Sequence, residues 1–224
     1  MNGYAFAHSG AALIARASGC LHWPERALLV VSDLHLGKSD RASRRLGLML
    51  PPYDGIDTLM RLDAEVAATA PDQVICLGDS FDDLAAGAAL DDDTRLLLLR
   101  LQAGRRWIWI EGNHDPGPVD LGGTHLAELA VGPLSFRHIA QPGARAEVSG
   151  HYHPKARPAR AGGLPARPAF LIDADRIVMP AFGTYTGGLA AGAAPLAGLM
   201  RPDALAVMTG RRAVPVPLSG CAAR

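Results

Sequence analysis

Three apolar segments of the chain each run into a polar motif. Residues 27–32 contain Leu28, Leu29, Val30 and Val31 and meet Asp33. Residues 73–77 meet Gly78-Asp79, and residues 106–111 meet Gly112-Asn113-His114. Short apolar runs without polar alternation predict strands buried on both faces. Between the first two, Ile56, Leu59, Met60, Leu62, Val66 and Ala67 recur at helical spacing. Asp54 or Asp57 is the expected cap of that helix, and Pro71 its stop. Asp91, Asp92 and Asp93 open a second helix to about Leu101, negative charge suiting the first turn. The Arg-rich residues 38–45 and the pair Pro51-Pro52 predict a loop. Strand-helix-strand-helix-strand predicts a parallel α/β sheet with its site beyond the strands' C-terminal ends. After Leu134 the pattern shortens to strands at about 134–138, 146–149, 169–172, 176–179, 204–209 and 213–216, a second sheet. Residues 154–168, rich in Pro, Gly, Ala and Arg, predict a long loop.

Composition narrows the class without naming a chemistry. A chain of 224 residues is long enough for a real core, and one domain over 1–224 is expected. Formal net charge is zero, so no global field draws the chain to nucleic acid or membrane. Lys38 and Lys155 are its only lysines. Cys20, Cys76 and Cys221 are odd in number and widely spaced, which indicates neither a zinc ribbon nor a disulfide framework. No apolar stretch reaches the roughly 20 residues a membrane span needs. The N-terminal apolar residues are interrupted by His8, Arg16 and His22, unlike a secretion signal. The expectation is cytoplasmic, with no membrane partner.

The polar motifs carry the chemistry. Asp33-Leu34-His35, Gly78-Asp79-Ser80-Phe81-Asp82, Gly112-Asn113-His114-Asp115 and Gly150-His151-Tyr152-His153 occur in that order, with His138 between the last two. On extended chain Asp33 and His35 project to one side. Carboxylate with imidazole suits Mn, Fe or Zn. Each motif alone is a polar turn after a strand. As an ordered set, each following a strand-like run, they predict a two-metal phosphoesterase site. Trp107 and Trp109 alternate with Ile108 and Ile110, which reads as strand packing rather than a base-stacking platform. His8, His22 and His125 are unassigned and read as ordinary packed or surface histidines.

The set resembles the calcineurin-like metallophosphoesterase superfamily over about residues 27–189. Within it, the chain is most similar to the DNA ligase-associated metallophosphoesterases. That narrower resemblance rests on residues 32–38, 150–154 and Pro180-Ala181-Phe182-Gly183-Thr184-Tyr185-Thr186-Gly187-Gly188. It implies an α/β fold of two packed mixed β-sheets flanked by helices, the α/β/β/α metallophosphoesterase sandwich. It implies two divalent metal ions, with manganese expected and iron or zinc as alternatives. Asp33, His35, Asp79 and His153 would hold one. Asp79, as bridge, with Asn113, His138 and His151 would hold the other. By the same resemblance His114 contacts the phosphate and protonates the leaving oxygen, and Asp82 orients it; the role of Asp115 is open. Ile139 stands where many relatives have glycine.

Lys38 and Arg41, with Arg44 and Arg45, follow the first ligand pair; Lys155, Arg157 and Arg160 follow the last. Both groups are expected to flank one cleft and bind phosphate, a solvated basic loop being the alternative. The expected activity is phosphodiester hydrolysis, extending to processing of DNA or RNA with DNA ligase and helicase partners. The competing readings are a phosphomonoesterase or nucleotide hydrolase, and a non-catalytic scaffold of a DNA-repair complex.

Overall fold

The computed structural model describes residues 2–117, 120–159 and 165–222. Strands β1 (Gly3–His8), β2 (Ala11–Arg16), β3 (Leu21–Trp23) and β4 (Leu28–Val31) form an antiparallel meander. Strands β5 (Gln73–Leu77), β6 (Arg106–Ile110) and β7 (Thr124–Leu126) continue that sheet in parallel from β4. Four helices cross between β4 and β6: α1 (Lys38–Leu46), α2 (Asp54–Thr69), α3 (Leu84–Ala88) and α4 (Asp92–Gln102).

The second sheet holds β8 (Glu128–Val131), β9 (Leu134–Arg137), β10 (Glu147–Ser149), β11 (Lys155–Ala156), β12 (Arg167–Ile172), β13 (Arg176–Val178), β14 (Leu205–Met208) and β15 (Val214–Pro217). Its order is β15-β14-β12-β13-β10-β9-β8, with β11 beside β12. Strand β10 runs parallel to both β9 and β13, while the other pairings are antiparallel, so both sheets are mixed.

The apolar runs sort by alternation. Leu28, Val30, Ile75, Leu77, Ile108 and Ile110 meet Phe136, Val148, Phe170, Ile177 and Met179 of the other sheet. Leu29, Val31, Val74, Cys76, Trp107 and Trp109 turn the other way, onto Leu59, Leu62, Val66, Leu98 and Leu101 of α2 and α4. Leu171, Val178 and Ala206 form the far face of the second sheet against Leu196 and Met200, around the four-residue helix α5 (Leu196–Leu199). A strand buried on both sides needs apolar residues at every position, which explains the lack of alternation. Burial of each such Leu, Ile or Val stabilises the fold by about 1.5–3 kcal/mol. The result is the expected two-sheet sandwich with flanking helices.

Two local expectations change. Residues 38–45 form helix α1 rather than a loop. Arginine is a good helix former, and Arg44 pairs one turn back with Asp40 at 2.7 Å. Only Ser39 and Ala42 are buried on that helix, so no apolar periodicity announced it. Neither Asp54 nor Asp57 caps α2, whose N-cap is Tyr53. Asp54 instead accepts hydrogen bonds from the Ser39 backbone N–H and hydroxyl, satisfying the first turn of α1. Asp91 does cap α4, accepting from the Thr94 N–H at 2.9 Å.

Candidate metal centre

The polar motifs converge where the C-terminal ends of β4, β5 and β6 face the ends of β9 and β10. Asp33 and His35 reach that point by a different route from the extended chain expected. Both sit in the left-handed backbone region, at φ 52° and 46°. The Asp33, His35 and Leu36 N–H groups donate to the Gly78, Asp79 and Ser80 carbonyls. The turn after β4 is thus laced to the turn after β5. Asp79 (φ 46°), His151 (φ 71°) and His153 (φ 46°) share the left-handed conformation. It is sterically costly for side-chain-bearing residues, and it gathers here because surrounding bonds enforce it. Gly78 also has positive φ, and a Cβ there would overlap the His138 ring.

Two sets of inward donors result. In one, His153 Nε2 lies 3.1 Å from Asp33 Oδ1 and 3.4 Å from His35 Nε2. In the other, His138 Nε2 lies 2.9 Å from Asn113 Oδ1, 3.2 Å from His151 Nδ1 and 3.4 Å from Asp79 Oδ2. The same Asp79 oxygen lies 4.0 Å from His35 Nε2 of the first set. Ligands about 2.0–2.1 Å from a tetrahedrally bound ion sit about 3.3 Å from each other. Imidazole nitrogens aimed at one another at that spacing fit a shared cation. The donor sets therefore suit two divalent ions, with Asp79 able to touch both.

Outer contacts fix the rings. His35 Nδ1 bonds Asp82 Oδ1 at 2.8 Å, and His138 Nδ1 bonds the Leu77 carbonyl at 2.9 Å. In both rings Nε2 is left facing inward, the usual arrangement for a ligating histidine. Burial alone would raise Asp79, but the hydrogen bond and charge of His138 and the His114 N–H hold it at about 2. Burial also opposes ionisation of Asp82, and His35, Arg41 and Lys38 hold that carboxyl well below the ordinary range.

His114 sits at the edge of the first donor set, its ring edge-on to His35 at 5.2 Å between centroids. Its Nδ1 bonds Asp82 at 2.8 Å through the backbone carbonyl. The residue implied by the resemblance is in place, but the atom is main-chain, because the carboxylate is committed to His35, Lys38 (3.2 Å) and Arg41 (3.0 Å). Lys38 and Arg41 thus lie beside the centre on α1. Lys155 is turned to the Thr186 carbonyl at 3.2 Å, and Arg160 lies outside the described residues.

Two supports are legible only in three dimensions. The Asp115 carboxylate accepts four backbone N–H groups, from Asp79, Ser80, Phe81 and Gly112, at 2.7–3.2 Å. It ties the turn after β5 to the turn after β6. Burial first, then the Asp79 charge, push its pKa to about 6 against those donors. Residues 182–184 brace the first turn: Phe182 and Gly183 donate to the Ser32 and Asp33 carbonyls. A Cβ on Gly183 would overlap the Leu34 carbonyl oxygen. Arg61 of α2 holds the brace through the Phe182 carbonyl (2.8 Å) and the Thr184 hydroxyl (3.0 Å).

A turn-borne, histidine-rich double donor set between two mixed sheets defines a class, and the comparisons agree with it. The family pattern of calcineurin-like phosphoesterases matches residues 27–156, more than half of the chain. The chain belongs to that family, a class of hydrolases acting on phosphoester bonds with divalent metal ions. The crystal structure of Pseudomonas putida nuclease MPE is similar at 28% sequence identity and a TM-score of 0.76, covering 96% of this chain and 100% of that one. No curated protein matches the sequence. Among the described residues no helix is long and apolar enough to cross a membrane.

Proposed function

We propose that this chain is a two-metal phosphodiesterase whose substrates are nucleic-acid phosphodiesters. The observation that carries the reading is Asp79 Oδ2, which lies between the two donor sets. Asp33, His35, Asp79 and His153 would hold one cation; Asp79, Asn113, His138 and His151 the other. When bound, the pair supplies Lewis acidity, neutralising phosphoryl charge and lowering the pKa of water toward about 7. Mixed carboxylate and imidazole donors suit manganese, with iron or zinc as alternatives.

The chain's own groups do the rest. Asp82 fixes His35 with its carboxylate and His114 with its carbonyl. With Nδ1–H given to that carbonyl, His114 Nε2 is the atom that hands a proton to the leaving oxygen. Lys38 and Arg41 would meet substrate oxygens next to the centre. The nuclease neighbour supports a diester over a monoester. An intact donor set argues against a scaffold without catalysis. Residues 1–224 are read as one domain, since the two sheets share one apolar layer. Three free cysteines suit a reducing cytoplasm. Association with a DNA ligase and a helicase has the motif resemblance as its support.

The test is hydrolysis of bis(p-nitrophenyl) phosphate and p-nitrophenyl phosphate by metal-stripped protein, with and without added Mn²⁺. Diester turnover that needs metal and falls about 10²–10⁴-fold in His114→Ala supports the proposal. Faster turnover of the monoester would replace it with a phosphomonoesterase.

A further inference from the structure

Beside the centre, a recess of about 310 Å³ is lined by Lys38, Arg41, Arg45, Leu46, Leu48 and Leu50, and it shares Asp82 with the donor set around His35 and His114. Its rim is unusual. Leu46, Leu48 and Met49 are 70%, 54% and 87% exposed, and Tyr53 follows at 70%. Isolated exposed apolar side chains are ordinary, but a run of them beside a reactive centre marks a surface built to be covered.

The charges around the recess are largely spent internally. Lys38 and Arg41 bind Asp82, and Arg44 and Arg45 bind Asp83 at 3.1 and 3.4 Å. Four basic side chains thus face Asp40, Asp82 and Asp83, a weak net positive balance that matches the neutral chain. A groove evolved to grip phosphates alone would leave its arginines unpaired and would not need leucines. Its occupant lies beside Lys38, Arg41 and Asp82, the group of residues that backs His35 in the first donor set.

We infer, on the phosphodiesterase reading above, that this recess holds the nucleobase flanking the scissile phosphate. Leu46, Leu48 and Leu50 lie against the base face, and the guanidiniums of Arg41 and Arg45 contact the adjoining phosphate with their remaining N–H groups. Apolar contact with a base face is sequence-tolerant, because every base presents one.

The experiment uses the full chain loaded with manganese and compares an oligothymidylate with bis(p-nitrophenyl) phosphate, which has no base. In Leu46→Ser/Leu48→Ser the ratio of kcat/KM for the oligonucleotide to that for the small diester should fall about tenfold. An abasic oligonucleotide of the same length should be a poor substrate for the parent and indifferent to the substitutions. Both leucines are exposed, so melting temperatures should match the parent's. An unchanged ratio overturns the inference and leaves the strip as a face for a protein. If neither substrate is cleaved, the phosphodiesterase reading has failed, and the recess is judged by fluorescence anisotropy of labelled oligothymidylate. Weaker binding by the variant then supports base contact, and equal binding rejects it.

Discussion

The two donor sets are held in different ways. Around Asp33, His35 and His153 the outer contacts are mixed: Asp33 accepts the Ser32 hydroxyl and the His151 backbone N–H, the latter at 3.1 Å, and His35 is held by a side chain. His35 leans on the Asp82 carboxylate, which Lys38 and Arg41 clamp from the cleft. Around Asp79, His138 and His151 the supports come mainly from the main chain. The Leu77 carbonyl holds His138, and the His114 N–H holds Asp79 Oδ1 at 2.9 Å. A carbonyl behind an imidazole cannot be removed by a side-chain change, and it does not respond to substrate. A carboxylate shared with two partly exposed cations can be removed and can respond. The second set is thus the fixed half of the centre, and the first is the half coupled to the cleft.

Both halves of the centre should fail together when the residue common to them is removed. Asp79→Ala should lower diester turnover by at least about a thousandfold, since the metals supply several kcal/mol of transition-state stabilisation. Bound manganese should fall in both sets, read by equilibrium dialysis; loss from one set alone would show that Asp79 is not shared. Asp82→Asn sharpens the contrast at smaller cost. It should weaken metal binding about 10–100-fold in the first set and spare the second. Two calorimetric phases, of which one moves, would report this; equal weakening of both would deny the asymmetry.

The smallest effect is in the pH response of metal-free protein. Burial alone would lower the His138 pKa, but the hydrogen bond to Asp79, the charges of Asp33 and Asp79 and the Leu77 carbonyl raise it to about 9. The folded value exceeds the unfolded value of about 6.5. The stability it contributes is therefore complete below pH of about 6.5 and is lost as pH rises through about 9. Thermal melts of metal-free protein should drop across that window. Manganese-loaded protein, in which ligating imidazoles are neutral, should instead lose stability on acidification. Identical pH profiles with and without metal would exclude His138 from the site.

Much of this arrangement was legible in the sequence, for identifiable reasons. β4, β5 and β6 were evident because burial on two faces writes unbroken apolar runs. The motif residues could be picked out because each follows such a run, and the structure brings their side chains together. The backbone that does so was not legible. Left-handed conformations at Asp33, His35, Asp79, His151 and His153 depend on bonds between turns remote in sequence. Helix α1 is not legible because it buries almost nothing, and β1 and β2 are not because they are rich in alanine, a weak strand former. Asp115 was visible as a motif residue, but its four N–H partners exist only in the folded chain. The 180–188 segment had family likeness without chemistry until the brace against Ser32 and Asp33 was seen.

Two cations joined by Asp79 require two bound metal ions per chain for full activity. Metal-stripped protein titrated with Mn²⁺, with bound metal counted per chain and diester hydrolysis followed in parallel, should bind two ions and reach full activity only when both are present. One ion per chain with full activity, or two ions with no diester turnover, would contradict the account.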